Sequence, residues 1–375
     1  MKIAISGGHL TPALALIDYV QSNHPQDELV FIGRIFSQKK LQQRAVEKRE
    51  AAKRGVEFIP FTAVKWGQGS ILAKLTIKPV KFAVSVIRAL SILKQQQPEI
   101  LVSFGGYLAV PLAIAARLSG VKIVTHEGTR VLGWSNRMII PLASAAAVSY
   151  QAVADQIKSS QVVVTGTPIR PEILNPSPRS PNWIDSDQLD KPLLLVMGGN
   201  QGSKAINQAI GSVLSELLLD WTVVHICGRA NLKDNYQQQL TTAAAGLPAD
   251  LRSRYFVKTW LEADELSWLY QQAYGAVSRA GANTTEELAR TQVPTIFIPL
   301  PHAHLDEQLK NASWLADRDA ALILPEPELS SQTLLLSLRQ LKQQHQLLKQ
   351  NLKKIELPVN GAEQLYQLAA SCLDE

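Results

Sequence analysis

Short apolar runs recur along the chain at intervals that leave room for one helix each: KIAI (2–5), LVFI (29–32), EFIP (57–60), EILVS (99–103), KIVT (122–125), AAAV (145–148) and QVVV (161–164). Strands that alternate with helices are joined by right-handed crossovers, so they lie parallel in a doubly wound α/β sheet. Periodicity then stops over 171–192, PEILNPSPRSPNWIDSDQLDKP, where five prolines read as an interdomain linker. A second series follows: LLLVMGG (193–199), TVVHICG (222–228), YFVK (255–258), GAVS (275–278), PTIFIP (294–299) and AALIL (320–324). At 375 residues, 46% of them hydrophobic, the chain is too long for one core. The expectation is two doubly wound domains facing a cleft, over 1–170 and 193–360, with a last helix over 361–375 able to return to the first domain.

Ligands of open parallel sheets bind outside the carboxyl ends of the strands, and the glycines gather there. Ser6-Gly7-Gly8-His9 follows the first strand, Phe104-Gly105-Gly106-Tyr107 the fourth, and Gly198-Gly199-Asn200-Gln201-Gly202-Ser203 opens the second domain's first helix. One such turn is as often structural as functional, since glycine supplies backbone freedom alone. Three at equivalent ends, with the Arg279–Gly281 turn as a fourth, shift the balance to ligand binding. In VSRAGANTTEE (277–287) a strand runs into a glycine turn and a helix expected from Thr284, an arrangement that offers free N–H groups and a positive dipole end to a phosphate. Glu287, expected in the first turn, can accept from both hydroxyls of a ribose. Gln308 and Asn311, at i and i+3 on the next helix, can read sugar hydroxyls. Phosphate, ribose and hexose together make a nucleotide sugar. The dinucleotide fingerprint G-x-G-x-x-G is absent from 3–16, against a nicotinamide enzyme.

His9, where the first loop meets a helix that Thr11-Pro12 is expected to cap and start, is the candidate general base, with partial burial expected there. Its alternative is a histidine bonded to its own loop. Glu127, after KIVT, either binds acceptor hydroxyls, orients His9 or braces its loop. Arg170 reaches a phosphate or pairs with a linker acid such as Glu172.

The net charge of +6 suits a polyanion. Over 65–94, Trp66 and apolar Ile71, Leu72, Leu75, Ile77, Val80 and Phe82 join Lys65, Lys74, Lys78 and Lys81, and 66–82 is a basic apolar stretch fit for an anionic interface, whereas 84–93 is expected to pack on the sheet. No run is long and apolar enough to span a bilayer, and no leader precedes Lys2, so a cytosolic chain is expected. Cys227 and Cys372 have no metal or disulfide spacing and are expected to be reduced.

The motifs GGH-x-x-PALA (7–15), GGY (105–107), HE-x5-G-x2-N (126–136), G-x-P-x-R (166–170), GG-x-QG-x4-N (198–207), SRAGA-x-T-x-x-E (278–287) and D-x-Q-x-x-NA (306–312) span nearly the whole chain, which closely resembles the MurG family of glycosyltransferases. The resemblance implies a GT-B fold and UDP-N-acetylglucosamine as donor. It implies a polyprenyl-diphosphate-linked muramoyl-peptide (lipid I) as acceptor, and an inverting mechanism with no essential metal or other cofactor. It also implies peripheral attachment to the anionic inner leaflet at the cytoplasmic face of the cell membrane, and no nucleic-acid partner.

By the same resemblance Glu287 holds the ribose, the Leu261 backbone the uracil, and Gln308 and Asn311 the sugar. Arg170, Gln201 and Ser203 face the diphosphate, and Asn200, Gly202, Gly281, Ala282 and Thr284 complete the donor side. His9 is the base, and Gly7, Gly8, Gly105, Gly106, Tyr107, Glu127 and Thr129 form the acceptor side. Four departures stand out. Ser6-Gly7-Gly8-His9 replaces the family's GGTGGH, Gly128-Thr129 follow His126-Glu127 where relatives carry H-E-Q-N, Thr167 stands in their G-N-P, and Asn200 replaces a serine. They leave two alternatives: a related transferase with another lipid acceptor such as diacylglycerol, or a degenerate membrane-bound scaffold.

Overall fold

The computed structural model describes residues 1–38, 43–44, 46–64, 77–158, 161–176, 178–184, 189–199, 201–229 and 234–374. Met1–Pro171 with Pro358–Glu375 form one compact unit and Glu172–Leu357 a second.

The first unit is built on seven strands: β1 (Lys2–Ser6), β2 (Glu28–Gly33), β5 (Glu57–Pro60), β6 (Ile100–Ser103), β7 (Lys122–Glu127), β8 (Ala145–Val148) and β9 (Val162–Val164), in the order β5-β2-β1-β6-β7-β8-β9. Every neighbouring pair is parallel. β3 (Phe36–Gln38) and β4 (Gln43–Arg44) add a small antiparallel ribbon that the apolar pattern does not announce. Ile3, Ala4 and Ile5 are all buried, as they must be in a strand covered by helices on both faces. On one face Ala13, Leu14, Leu16, Ile17 and Val20 of helix Leu10–Asn23 share a core with Leu365, Tyr366, Ala369 and Cys372 of the last helix, Gly361–Asp374. The Tyr366 hydroxyl donates to Asp27 at 2.8 Å and its ring stacks on His24, which ties the chain's end to the first unit.

On the other face helix Ile77–Gln96 turns Ser85, Ala89 and Leu93 inward. Residues 84–93 do not simply pack, however: Val80, Val84 and Ile87 are 64%, 58% and 65% exposed, and their i, i+4, i+7 spacing makes one apolar stripe in solvent. Two residues expected at an interface are drawn inward instead. Lys78 is buried and Phe82 packs half-buried against the core, while Lys81 is exposed. Trp66, Ile71, Leu72, Lys74 and Leu75 lie outside the described residues.

The second unit repeats the plan with β10 (Leu193–Met197), β11 (Thr222–Ile226), β12 (Tyr255–Lys258), β13 (Ala273–Ser278), β14 (Thr295–Phe297) and β15 (Leu322–Ile323), in the order β12-β11-β10-β13-β14-β15 and again all parallel. Helix Ser331–Lys353 buries Leu334, Leu338, Leu341, His345, Leu348 and Leu352 as one stripe, while its other face is mostly polar apart from the exposed Leu336 and Leu347. The proline-rich stretch after Pro171 also packs here. Ile173 and Ile184 are buried, and the Trp183 indole donates to Glu265 at 2.7 Å beneath the Lys258 ammonium.

In each sheet the strand order reverses beside one strand. β1 has β2 on one side and β6 on the other; β10 has β11 and β13. In open parallel sheets the carboxyl ends of the strands beside such a reversal are where ligands bind.

Candidate active site

In the first unit the reversal brings the first two glycine turns into backbone contact. A Cβ on Gly8 would lie 2.1 Å from the Gly105 carbonyl oxygen, and one on Gly106 would lie 2.9 Å from the Gly8 Cα. No side chain fits at either place, and Gly105 and Gly106 have φ of +69° and +79°, a region open to glycine. Gly7, Gly8, Gly105 and Gly106 are thus one structure, with Tyr107 half-buried against the core behind it. Ser6, the last residue of β1, is fully buried, and its hydroxyl has no hydrogen-bond partner in the structure.

His9 caps helix Leu10–Asn23 by position, two residues earlier than the cap expected at Thr11. Its imidazole makes no capping bond and it is exposed rather than partly buried. That leaves the ring accessible to a substrate hydroxyl, as a general base requires.

Glu127 and Thr129 sit differently. Glu127 is buried and accepts from the Thr129 amide (3.1 Å), the Thr129 hydroxyl (2.8 Å), the Gly133 amide (2.8 Å) and the Asn136 side chain (3.0 Å). The Thr129 hydroxyl also lies 2.6 Å from the Val131 carbonyl oxygen. This is the loop-bracing alternative: both groups are spent within 127–136. Asn136, the last residue of HE-x5-G-x2-N, has a part that the sequence does not announce: its amide lies 3.1 Å from where a Gly105 side chain would begin and so floors the second glycine turn. His126 beside it is fully buried. Desolvation lowers its pKa from 6.5 to about 4, against the opposing pull of the Gly166 carbonyl (3.0 Å) and Glu127, while nearby His9 adds to the lowering.

In the second unit helix Ala282–Arg290 begins two residues before the expected Thr284, with Gly281 as its N-cap and no side chain capping it. Its first N–H groups, over Ala282 to Thr284, point out of the helix unbonded within it, an anion seat. Glu287 consequently lies in the second turn. It is 3% exposed and accepts from the Tyr270 hydroxyl at 3.1 Å, a partner seventeen residues back that the sequence did not reveal.

Arg279 clamps this turn to its neighbours. Its guanidinium donates to the Ile298 and Pro299 carbonyls (3.0 and 3.2 Å), to the Ser203 hydroxyl (2.7 Å) and to Glu326. Ser203 caps helix Lys204–Gly211, its hydroxyl also accepting from the Ile206 amide. Gly202 (φ +77°) crosses Cys227-Gly228 so closely that a Cβ there would lie 2.1 Å from the Cys227 carbonyl oxygen. Gln201 is exposed, Asn200 lies outside the described residues, and Leu261 is buried just beyond β12.

Helix Glu307–Ala316 carries the two amides. Asn311 is 2% exposed; its Nδ2 donates to the Ala280 carbonyl at 3.0 Å, and its buried Oδ1 has no hydrogen-bond partner. The Gln308 Oε1 accepts from the Leu300 amide at 2.9 Å. The segment before this helix holds His302, Leu305 and Asp306 at φ of +60°, +51° and +55°, left-handed conformations that cost non-glycine residues free energy and concentrate at ligand sites. Arg170 belongs to the first unit and is half-buried.

Residues 6–148 match the glycosyltransferase family 28 N-terminal domain and residues 193–366 its C-terminal domain. A protein of Clostridium botulinum (strain Langeland) named UDP-N-acetylglucosamine–N-acetylmuramyl-(pentapeptide) pyrophosphoryl-undecaprenol N-acetylglucosamine transferase is 29% identical over 372 residues, 98% of each chain. Its namesake from strain Alaska E43 is 31% identical over 346 residues, covering 91% of this chain and 90% of that one. Among solved structures, Acinetobacter baumannii MurG superposes with a TM-score of 0.69 at 25% identity over 99% of both chains. A UDP-N-acetylglucosamine 2-epimerase from Neisseria meningitidis shares the fold at a TM-score of 0.61 and 11% identity. Two parallel-sheet α/β domains of this kind are the GT-B fold. With both halves of the family matched, the chain belongs to glycosyltransferase family 28 as a divergent member of its MurG branch, an enzyme of the hexosyltransferase class.

Proposed function

We propose that the chain transfers N-acetylglucosamine from UDP-N-acetylglucosamine to the C4 hydroxyl of undecaprenyl-diphosphate-linked N-acetylmuramoyl-peptide, lipid I to lipid II, in peptidoglycan synthesis. The observation that carries the donor half is the grouping of an uncapped helix N-terminus at Gly281, the buried Glu287 carboxylate on the same helix, and the unpartnered Oδ1 of Asn311 bound to that turn through Ala280. A buried acceptor without a donor costs roughly 1–3 kcal/mol, which a sugar hydroxyl donating to Asn311 offsets. The names carried by relatives across 98% of the chain's length supply the acceptor.

In the reaction the acceptor C4 oxygen attacks the anomeric carbon as its proton passes to His9. The bond from that carbon to the β-phosphate oxygen breaks with inversion, and UDP leaves carrying the negative charge. The N–H groups from Ala282 to Thr284 meet that charge. Such preorganised donors usually contribute more than the base, because they need no reorganisation as charge develops.

The reading extends to attachment at an anionic inner-leaflet surface, and the exposed stripe Val80, Val84 and Ile87 with Lys81 beside it supports it. No helix among the described residues is long and apolar enough to cross a membrane. Replacing Val84 and Ile87 by Glu should abolish sedimentation with anionic vesicles and spare UDP binding; equal sedimentation of variant and wild type removes the stripe from the account. Mass-spectrometric detection of UDP release with lipid I, with diacylglycerol and with no acceptor tests the function. Release only with lipid I is the expected result, and release only with diacylglycerol selects the other lipid acceptor.

A further inference from the structure

Three polar side chains run through the apolar interior of the second unit without touching any residue assigned to the reaction. Asn207, in the first turn of helix Lys204–Gly211, is 3% exposed; His225 on β11 and Tyr255 on β12 are also buried. The Asn207 Nδ2 donates to the Cys227 carbonyl at 2.9 Å, its Oδ1 lies 2.9 Å from His225 Nε2, and His225 Nδ1 lies 2.8 Å from the Tyr255 hydroxyl.

The directions in this chain are fixed from one end. A carbonyl oxygen can only accept, so the amide nitrogen of Asn207 faces Cys227 and its oxygen faces the imidazole. Nε2 must then carry the hydrogen, Nδ1 is left as an acceptor, and the Tyr255 hydroxyl donates to it. Every group is satisfied only with a neutral ring, and burial drives the His225 pKa from 6.5 down to about 3.

The Cys227 carbonyl is also the atom on which Gly202 rests. A Cβ on Gly202 would meet it at 2.1 Å, and one on Gly228 would meet the Gly202 Cα at 2.4 Å. The chain of bonds therefore ends under the crossing of Gly202 with Cys227-Gly228, just past the end of β11. The neighbourhood is otherwise apolar, with Trp221, Leu240 and Tyr236 in the same cluster. Filling it with aliphatic side chains would avoid the desolvation of three polar groups. What aliphatic side chains cannot do is hold one carbonyl at a set place and angle.

We propose that Asn207, His225 and Tyr255 form a buried positioning relay that fixes Gly202 and Ser203 for the donor's diphosphate, acting through the Cys227 carbonyl. The inference rests on the donor reading above and adds to it residues that touch no substrate. In that role Asn207, the last residue of GG-x-QG-x4-N, acts from beneath the loop.

The test compares wild type with Asn207→Ala, His225→Leu, His225→Gln and Tyr255→Phe, each first checked for native circular dichroism. UDP affinity is read by calorimetry and donor KM, acceptor KM and kcat by turnover. Asn207→Ala and His225→Leu should raise the UDP Kd and the donor KM on the order of tenfold, the scale of one buried hydrogen bond, with acceptor KM unchanged and kcat at saturating donor within about threefold. Gln keeps one donor and one acceptor about as far apart as the ring nitrogens, so His225→Gln should return most of the affinity. The double variant Asn207→Ala/His225→Leu should be no weaker than either single one, since both break the same chain.

Folded variants that bind UDP like wild type overturn the relay while leaving the donor site standing. A folded wild type that does not bind UDP overturns the donor reading, and the relay's purpose with it. Should the substitutions prevent folding, nitrogen-15 NMR of the wild type still decides. The relay requires His225 to stay neutral with its proton on Nε2 from pH 5 to 8; a proton on Nδ1, or titration near pH 6, overturns it.

Discussion

Lowering the pH from 7 to 5 should destabilise both units, chiefly through one fully buried histidine each, with His345, whose pKa burial also lowers, adding to the second in the same direction. His126 in the first and His225 in the second have pKa values of about 4 and about 3 when folded, against 6.5 for the ordinary ring. Desolvation is the main cause in both. A base whose pKa falls on folding is protonated first in the unfolded chain, so the unfolded state gains protons as the pH drops through 6.5 while the folded state does not. Stability is complete above 6.5 and declines below it, until the folded ring itself titrates near 4 or 3. Between 6.5 and 5 about 1.5 pH units are crossed at roughly 1.4 kcal/mol each, so each ring removes about 2 kcal/mol from its own unit. Urea unfolding at pH 7, 6 and 5, read by pulsed hydrogen exchange of peptides covering β7 and β11, follows the two units separately. His225→Gln should flatten the response of the β11 peptide and leave that of the β7 peptide unchanged. Equal midpoints at pH 7 and 5, or an undiminished loss in the Gln variant, would refute the reasoning.

Glu287→Ala should weaken UDP binding by roughly 1.5–3 kcal/mol, the scale for a charged hydrogen-bonding group, in a protein that still folds; calorimetry showing unchanged affinity rejects the ribose assignment. His9→Ala should lower kcat by roughly 10²–10⁴-fold with donor affinity unchanged, because its proton transfer belongs to the transition state, and a near-wild-type kcat would remove it as the base. Gly8→Ala should cost roughly 1–3 kcal/mol of stability or more, since the new Cβ falls 2.1 Å from the Gly105 carbonyl oxygen and backbone must move; an unchanged melting temperature contradicts the interlocked turns.

Much of this architecture is written in local pattern. AAAV (145–148) is β8 residue for residue, because a strand covered on both faces must be a short apolar run whatever it packs against, and YFVK (255–258) is β12, an edge strand that buries Tyr255 and leaves the rest half-buried. The glycine turns were legible for the same reason: each follows such a run. What depended on distant partners was not. Glu287 needed Tyr270, seventeen residues away, and the relay joins residues 207, 225 and 255, whose meeting is a consequence of strand order. His9 looked partly buried from its place at a helix start, but the loop turns its ring outward. The stretch 171–192 reads as loose by its prolines, yet Ile173, Trp183 and Ile184 give it something to bury. Helix Ile77–Gln96 shows the limit from the other side. Its apolar residues cover more than one face; Val80 falls in the stretch expected at an interface, but only the packed structure reveals that Val84 and Ile87 are left outside with it.

The central claim is the transfer itself, and the linkage in the product tests it most directly. UDP-N-acetylglucosamine labelled with carbon-13 in the sugar should be incubated with purified lipid I and the full chain, and the lipid product examined by mass spectrometry and NMR. One N-acetylhexosamine should be added, joined to C4 of the muramoyl ring through a β-anomeric carbon, the inverse of the α-linked donor. A product with retained α configuration, label on another hydroxyl, or no labelled lipid beside intact folded protein would contradict it.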